Sequence, residues 1–115
     1  MCADHPPALV QDAGEHRAHV LDALLSPGCR IRGGSVHGSI LSPDVLIEPG
    51  ALVEDSILMP RVRIGSNCVV RRAIIDENVL LPPGVRIGCD PDDDRRRFTV
   101  TEGKVVVVPS GNIFA

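Results

Sequence analysis

The sequence predicts an all-β chain: a left-handed parallel β-helix of hexapeptide-like repeats, about four coils long, closed by a C-terminal β-hairpin. Three observations predict it. The stretch from Leu41 to Pro91 is one pattern written three times at a spacing of seventeen residues, LSPDVLIEPGALVEDSI, LMPRVRIGSNCVVRRAI and IDENVLLPPGVRIGCDP. Such internal periodicity dictates architecture before local propensity does. Within each copy the aliphatic positions step by six, six and five, at 41, 47, 53, then 58, 64, 70, then 75, 81, 87. A helical stripe would recur at three and four. Prolines and glycines fall between these steps, at Pro43, Pro49-Gly50, Pro60, Gly65, Pro82-Pro83-Gly84 and Gly88, where a corner need not donate to a ladder.

Three short strands joined by three corners close one triangular coil, and stacked coils pair as parallel strands. Four columns are aliphatic in every copy: Leu41/Leu58/Ile75, Val45/Val62/Val79, Ile47/Ile64/Leu81 and Val53/Val70/Ile87. A fifth, Ala51/Cys68/Val85, is small and apolar. These columns are the expected interior. So tight a coil favours the left-handed, hexapeptide-type form, since right-handed β-helices have longer and less regular coils.

Taken in order, residues 1–22 are expected to be a lead-in, punctuated by Pro6-Pro7 and Gly14, with a short strand at Ala8 to Gln11. His16 and His19 lack a cysteine or acidic partner at ligand spacing, so a connector is expected there rather than a metal site. The β-helix proper is placed at 23–91. Its first copy, LSPGCRIRGGSVHGSI, is one residue shorter than the others, and Gly33-Gly34 is where the residue is missing. Residues 92–115 are expected to form an acidic-then-basic turn, a hairpin and a tail. Three carboxylates followed by three guanidiniums would suit an ion clamp, but the expectation is a solvated, self-neutralising turn. Phe98 to Thr101, a Glu102-Gly103 turn and Lys104 to Val108 then read as the hairpin.

Composition excludes several function classes. One domain fits in 115 residues, and the only aromatic residues are Phe98 and Phe114, so the core is aliphatic and base-stacking platforms are absent. A net charge of −3 offers nothing global to nucleic acid or to an anionic membrane. No apolar run approaches a membrane span, and a soluble, cytoplasmic protein is expected. Cys2, Cys29, Cys68 and Cys89 form no C-x-x-C pair, and Cys29 and Cys68 fall in inward columns as small hydrophobes.

Catalytic signatures are missing. There is no G-x-S-x-G, no P-loop and no H-E-x-x-H. His37 is the single histidine of the repeat region, at a corner matching Glu54 and Arg71. An acyltransferase base would need an orienting partner and a cleft, and the sequence indicates neither. Arginines are the remaining constellation, at 61, 63, 71, 72 and 86 and again at 95–97. Guanidinium suits bidentate contact with carboxylate or phosphate.

The run VVRRAIIDENVLLPPGVRIG followed by DPDDDRRRFTVTEGKVVVV resembles the C-terminal region of bacterial ADP-glucose pyrophosphorylase (glucose-1-phosphate adenylyltransferase). HPPALV and VLDALLSPGCRI resemble that family's connector and first coil, so the resemblance runs from about His5 to Val108. It implies a left-handed β-helix that follows a catalytic nucleotidyltransferase domain. The family converts ATP and glucose 1-phosphate to ADP-glucose and pyrophosphate with magnesium, and works as a homotetramer under anionic metabolite regulators. Its ATP and sugar-phosphate residues lie in the catalytic domain, so no catalytic or cofactor residue is expected here. Arg71, Arg72, Arg96 and Arg97 are the candidates for an effector anion or a domain contact. Some members carry basic residues where this chain has Glu77 and Pro109, so the effector is expected to differ or regulation to be lost. A free-standing interaction module and a small acyltransferase are the alternatives. A rod without its catalytic partner should expose apolar surface and self-associate.

Overall fold

The computed structural model describes residues 7–110, and these form a parallel β-solenoid of five three-sided coils with one short helix, in keeping with the left-handed β-helix expected. The first coil holds β1 (Leu9–Gln11), β2 (His19–Leu21) and β3 (Leu24–Leu25). The second holds β4 (Arg30–Arg32), β5 (Ser35–His37) and β6 (Ile40–Leu41). The third holds β7 (Leu46–Ile47), β8 (Leu52–Glu54) and β9 (Ile57–Leu58). The fourth holds β10 (Arg63–Ile64), β11 (Val69–Arg71) and β12 (Ala73–Ile75). The fifth begins with β13 (Leu80–Leu81) and β14 (Arg86–Ile87), breaks for α1 (Pro91–Arg97) and β15 (Thr99–Val100), and closes with β16 (Val106–Val108).

Like strands stack on like. One sheet runs β1-β4-β7-β10-β13, the second β2-β5-β8-β11-β14, and the third β3-β6-β9-β12-β16, with β15 antiparallel on its edge. From β7 to β10 the register advances by seventeen residues, Leu46 to Arg63 and Ile47 to Ile64, so each repeat column becomes a vertical stack. From β4 to β7 it advances by sixteen and from β5 to β8 by seventeen. The missing residue therefore lies between Arg32 and Ser35, at Gly33-Gly34 as expected.

The interior is the set of repeat columns. Leu41, Leu58, Ile75, Ile47, Ile64, Val53, Val70 and Ile87 are fully buried, and Cys29, Ile31 and Val36 continue the columns into the second coil. Val85 alone of the fifth column is only half-buried, being near the end of the stack. Burying each such aliphatic side chain contributes about 1.5–3 kcal/mol.

Each corner turns on a residue in the left-handed region. One corner is the column Gly28, Asp44, Arg61, Asn78, another is Gly33, Gly50, Asn67, Gly84, and the third is Asp22, Gly38, Asp55, Arg72, all with positive φ. Glycine, aspartate and asparagine tolerate that conformation, whereas an arginine there is uncommon. Arg61 and Arg72 are therefore held by the coil geometry rather than by local preference.

Two regions differ from expectation. The stretch expected as a lead-in lays β1 and β2 on the first two sheets, which makes five coils rather than four. Its periodicity is hidden because β1 sits twenty-one residues before β4, the extra residues forming a loop closed by the Ala13–His16 bridge. The DDDRRR run is a helix, not a turn. Asp90 caps it by accepting the Asp92 and Asp93 amides at 3.1 and 3.4 Å, Pro91 opens it, and its acids lead while its arginines trail, as the helix dipole prefers. The expected hairpin forms as β15 and β16, and β16 also continues the third sheet beside β12. The expected tail, 111–115, lies outside the described residues. No helix among them is long and apolar enough to cross a membrane.

Candidate functional site

The four arginines singled out from the sequence do not converge. Arg71 ends β11, and the register of β5, β8 and β11 stacks His37, Glu54 and Arg71 in one column. Arg71 Nε donates to Glu54 Oε1 at 2.8 Å, and His37 Nδ1 lies 4.0 Å from Glu54 Oε2. The charge of Arg71 is thus answered by the coil beneath it. His37 does have a carboxylate neighbour, which the sequence alone did not indicate, because residues seventeen apart become vertical neighbours in this fold. It lines none of the three clefts described below.

Behind this ladder the backbone is tied by two buried serines. Ser39 Oγ accepts the Ser56 amide at 3.1 Å, and Ser56 Oγ accepts the Ala73 amide at 3.2 Å. They satisfy groups that the sharp corner would otherwise leave unpaired.

Arg72 belongs elsewhere. Its amide donates to the Glu54 carbonyl at 3.0 Å and its carbonyl accepts from Val106 at 2.9 Å, which pins the backbone between coil and β16. Its exposed side chain lines a pocket of about 250 Å³ with Arg95 of α1 and Lys104 of the hairpin turn. Gly88, Pro91, Val100 and Val106 complete the walls, and the carboxylate of Asp94 is buried there, accepting the Gly88 amide at 3.2 Å. A side chain at Gly88 would strike the Arg71 carbonyl, and its φ of +81° also demands glycine. From the sequence Arg95 stands only within the arginine constellation and Lys104 only in the hairpin, and neither was among the four site candidates. Only the turn at Glu102-Gly103 and the helix brought by Asp90 carry them to Arg72, and neither placement follows from the repeat.

Arg96 and Arg97 are held on the helix. Both reach Asp93, at 3.0 and 3.1 Å, and the Arg97 guanidinium also lies 5.0 Å from the Phe98 ring centroid. Arg97, Arg86 and Asp93 face a shallow cleft against the Pro82-Pro83 corner. A third cleft lies on the first sheet, between Glu48, Arg63 and Pro82.

Glu77 and Pro109 occupy the opposite ends of β12 and β16 from Arg72 and Val106. That edge is acidic and closed. Glu77 pairs with Arg61 at 3.5 Å, Ser110 donates its amide to Asp76 at 3.3 Å and its hydroxyl to the Glu77 carbonyl at 3.0 Å.

Among the described residues no group of three or more His, Cys, Asp or Glu is arranged to hold a metal ion. The buried thiols of Cys29 and Cys68 face the Ser42 and Pro82 carbonyls at 3.1 and 3.0 Å. Burial pushes both thiols up from their ordinary range, so they are poor nucleophiles.

Parallel three-sided coils, an aliphatic interior and polar chemistry confined to corners and ends define a hexapeptide-repeat β-solenoid domain. The chain belongs to the GlmU-like, C-terminal hexapeptide family, whose pattern it matches over residues 5–108. It is similar to glucose-1-phosphate adenylyltransferases. Identity is 50% over 91 residues with that of Anaeromyxobacter sp. (strain Fw109-5), covering 79% of this chain and 22% of that protein. It is 40% over 104 residues with that of Nitrosospira multiformis, covering 90% and 24%. With that of Arthrobacter sp. (strain FB24) it is 46% over 108 residues, covering 92% and 23%. The chain thus spans less than a quarter of the length of these relatives, and it matches their C-terminal part.

Proposed function

We propose that this chain is the C-terminal β-helix of a glucose-1-phosphate adenylyltransferase, an assembly and regulatory part whose catalytic nucleotidyltransferase domain lies in the remainder of such an enzyme. On this reading the conversion of ATP and glucose 1-phosphate to ADP-glucose and pyrophosphate, and its magnesium, belong to that remainder. The chain contributes subunit and interdomain contacts in a cytoplasmic homo-oligomer, a tetramer in the family.

The observation that carries the reading is an outward column on the third sheet. Leu24, Ile40, Ile57, Ile74 and Val107 stand in register from β3 to β16, aliphatic in all five coils. Leu24 is 69% exposed, Ile40 44% and Ile57 37%. The corresponding outward column of the first sheet, Leu9, Arg30, Leu46, Arg63 and Leu80, alternates with charge. An unbroken apolar stripe on one face of three supports a packing partner there.

The test is reconstitution. The catalytic portion of the Anaeromyxobacter relative is co-expressed with this chain, and ADP-glucose formation is assayed on each part and on the pair. The expected result is co-purification, activity in the pair, none in the chain alone, and loss of co-purification with Ile40→Asp/Ile57→Asp. Turnover by the chain alone, or indifference of the two parts to each other, overturns the reading.

A further inference from the structure

We propose that the cleft on the first sheet, between Glu48, Arg63 and the Pro82-Pro83 corner, binds a small zwitterion, an α-amino acid with an aliphatic side chain. The cleft opens where a row of side chains stops. Gln11 and Arg32 stand in register on β1 and β4, Glu48 follows Ile47 one coil on, and Gly65 follows Ile64 in the next. A side chain at Gly65 would strike the Leu81 carbonyl and the Pro82 backbone, so the close approach of the fourth and fifth coils keeps that place empty. The space left is about 320 Å³, at the small end of the range for small-molecule sites.

Its charges are opposite and do not answer each other. Glu48 brings a carboxylate from the third coil and Arg63 a guanidinium from β10, and neither side chain makes a hydrogen bond or ion pair with any described residue. Glu48 Oε1 is shut off from solvent without a partner, and so is Nε of Arg32 one coil below. A carboxylate in that state lacks a donor, and a ligand ammonium brings three. Arg63 is exposed and stands between Leu46 and Leu80 in its column, so no acid is paired with it from either neighbouring coil. Elsewhere an arginine beside a corner is answered across the coils, as Glu54 answers Arg71 and Glu77 answers Arg61. Ser66 adds a hydroxyl, and Leu80, Pro82 and Pro83 form an apolar wall for the aliphatic side chain. A plain anion or a plain cation would bring one of the two unpaired groups against its like, whereas a zwitterion satisfies both. None of the four arginines weighed as effector contacts lines this cleft. It lies wholly within this chain, so the inference stands apart from the adenylyltransferase reading.

The test is titration of the ¹⁵N-labelled 115-residue chain at neutral pH and constant ionic strength. The probes are L-leucine, N-acetyl-L-leucine, which lacks the ammonium, and L-leucinamide, which lacks the carboxylate. Saturable amide shifts at Gly65, Ser66 and Leu81 are expected with L-leucine. Each blocked probe should bind more weakly by about tenfold or more, the loss of one charge-assisted contact. Glu48→Gln and Arg63→Gln should each weaken L-leucine binding by a similar factor. Arg30→Gln, in the same outward column as Arg63 but two coils below, should bind as the parent does. The idea fails if L-leucine gives no saturable shifts at those amides. It fails too if the blocked probes bind as tightly as L-leucine, which would make the cleft an apolar surface only. Folded Glu48→Gln and Arg63→Gln proteins, judged by an unchanged far-ultraviolet spectrum, that bind as the parent does would also overturn it, as would an equal loss in Arg30→Gln.

Discussion

Arg71 and Arg72 are adjacent, yet they belong to different chemical regimes. Arg71 sits inside the repeat, where the coil below supplies Glu54 at seventeen residues' remove and the charge is neutralised by register. Arg72 sits where the repeat gives way to the cap, and its neighbours across the pocket come from α1 and the hairpin instead. The difference teaches that stacking a sequence on itself tends to cancel polar groups as well as bury apolar ones. Chemistry that can be offered to a ligand collects where the stacking stops.

Mutations can break that contrast or sharpen it. The largest effect belongs to the coils: Ile64→Ala empties a fully buried place in the central stack and should cost about 2–5 kcal/mol in urea denaturation. Its counterpart in the cap, Val100→Ala at a half-buried strand position, should cost only about 1 kcal/mol. Equal losses would mean that cap and coils unfold with the same dependence on packing. Next in size is Asp90→Ala, which removes the acceptor for two helix amides and should cost about 1 kcal/mol. Hydrogen exchange should speed up at Phe98, whose amide donates to the Asp94 carbonyl, and stay slow at Val70. Glu54→Gln comes lower, at roughly 0–1 kcal/mol, because the Arg71 pair is half-exposed and salt screens it. At neutral pH the ionisation of the buried thiols makes no difference to stability. Their pKa values are raised by desolvation, so the unfolded chain loses its thiol protons first. The stability they contribute is complete below the usual thiol value of about 8.5 and is lost as pH rises through the folded values. A urea midpoint that falls on the alkaline side in the parent, and falls less in Cys29→Ala/Cys68→Ala, checks the sign.

The solenoid was legible because its signal is carried by many residues at once. The columns at Leu41, Val45, Ile47 and Val53 repeat three times, and one substitution cannot hide them. The one-residue deletion at Gly33-Gly34 was legible for the same reason. The first coil was not, because the loop around Ala13 and His16 shifts β1 out of period and hides that Val10, Val20 and Leu25 continue the columns of Ile31, Val36 and Leu41. The helix had a readable signature, Asp-Pro followed by acids and then bases, but a charge run suggests a solvated turn unless capping is weighed first. Of the site, Arg72 could be named as an arginine at a corner. Lys104 could not, because its place depends on how far the hairpin reaches back over the last coil, and no periodicity encodes that distance.

The one antiparallel strand among the described residues, β15, has a consequence for growth. A stack of parallel coils is open-ended by construction, since each coil presents unpaired amides and carbonyls of the kind the next one needs. β15 runs the other way and covers the edge of β16, while α1 lies against it. Another coil arriving at that end would meet a strand of the wrong direction on one of its three sides. Coil-on-coil addition at that end is therefore blocked along the third sheet, while the β1, β2 and β3 end carries no such strand.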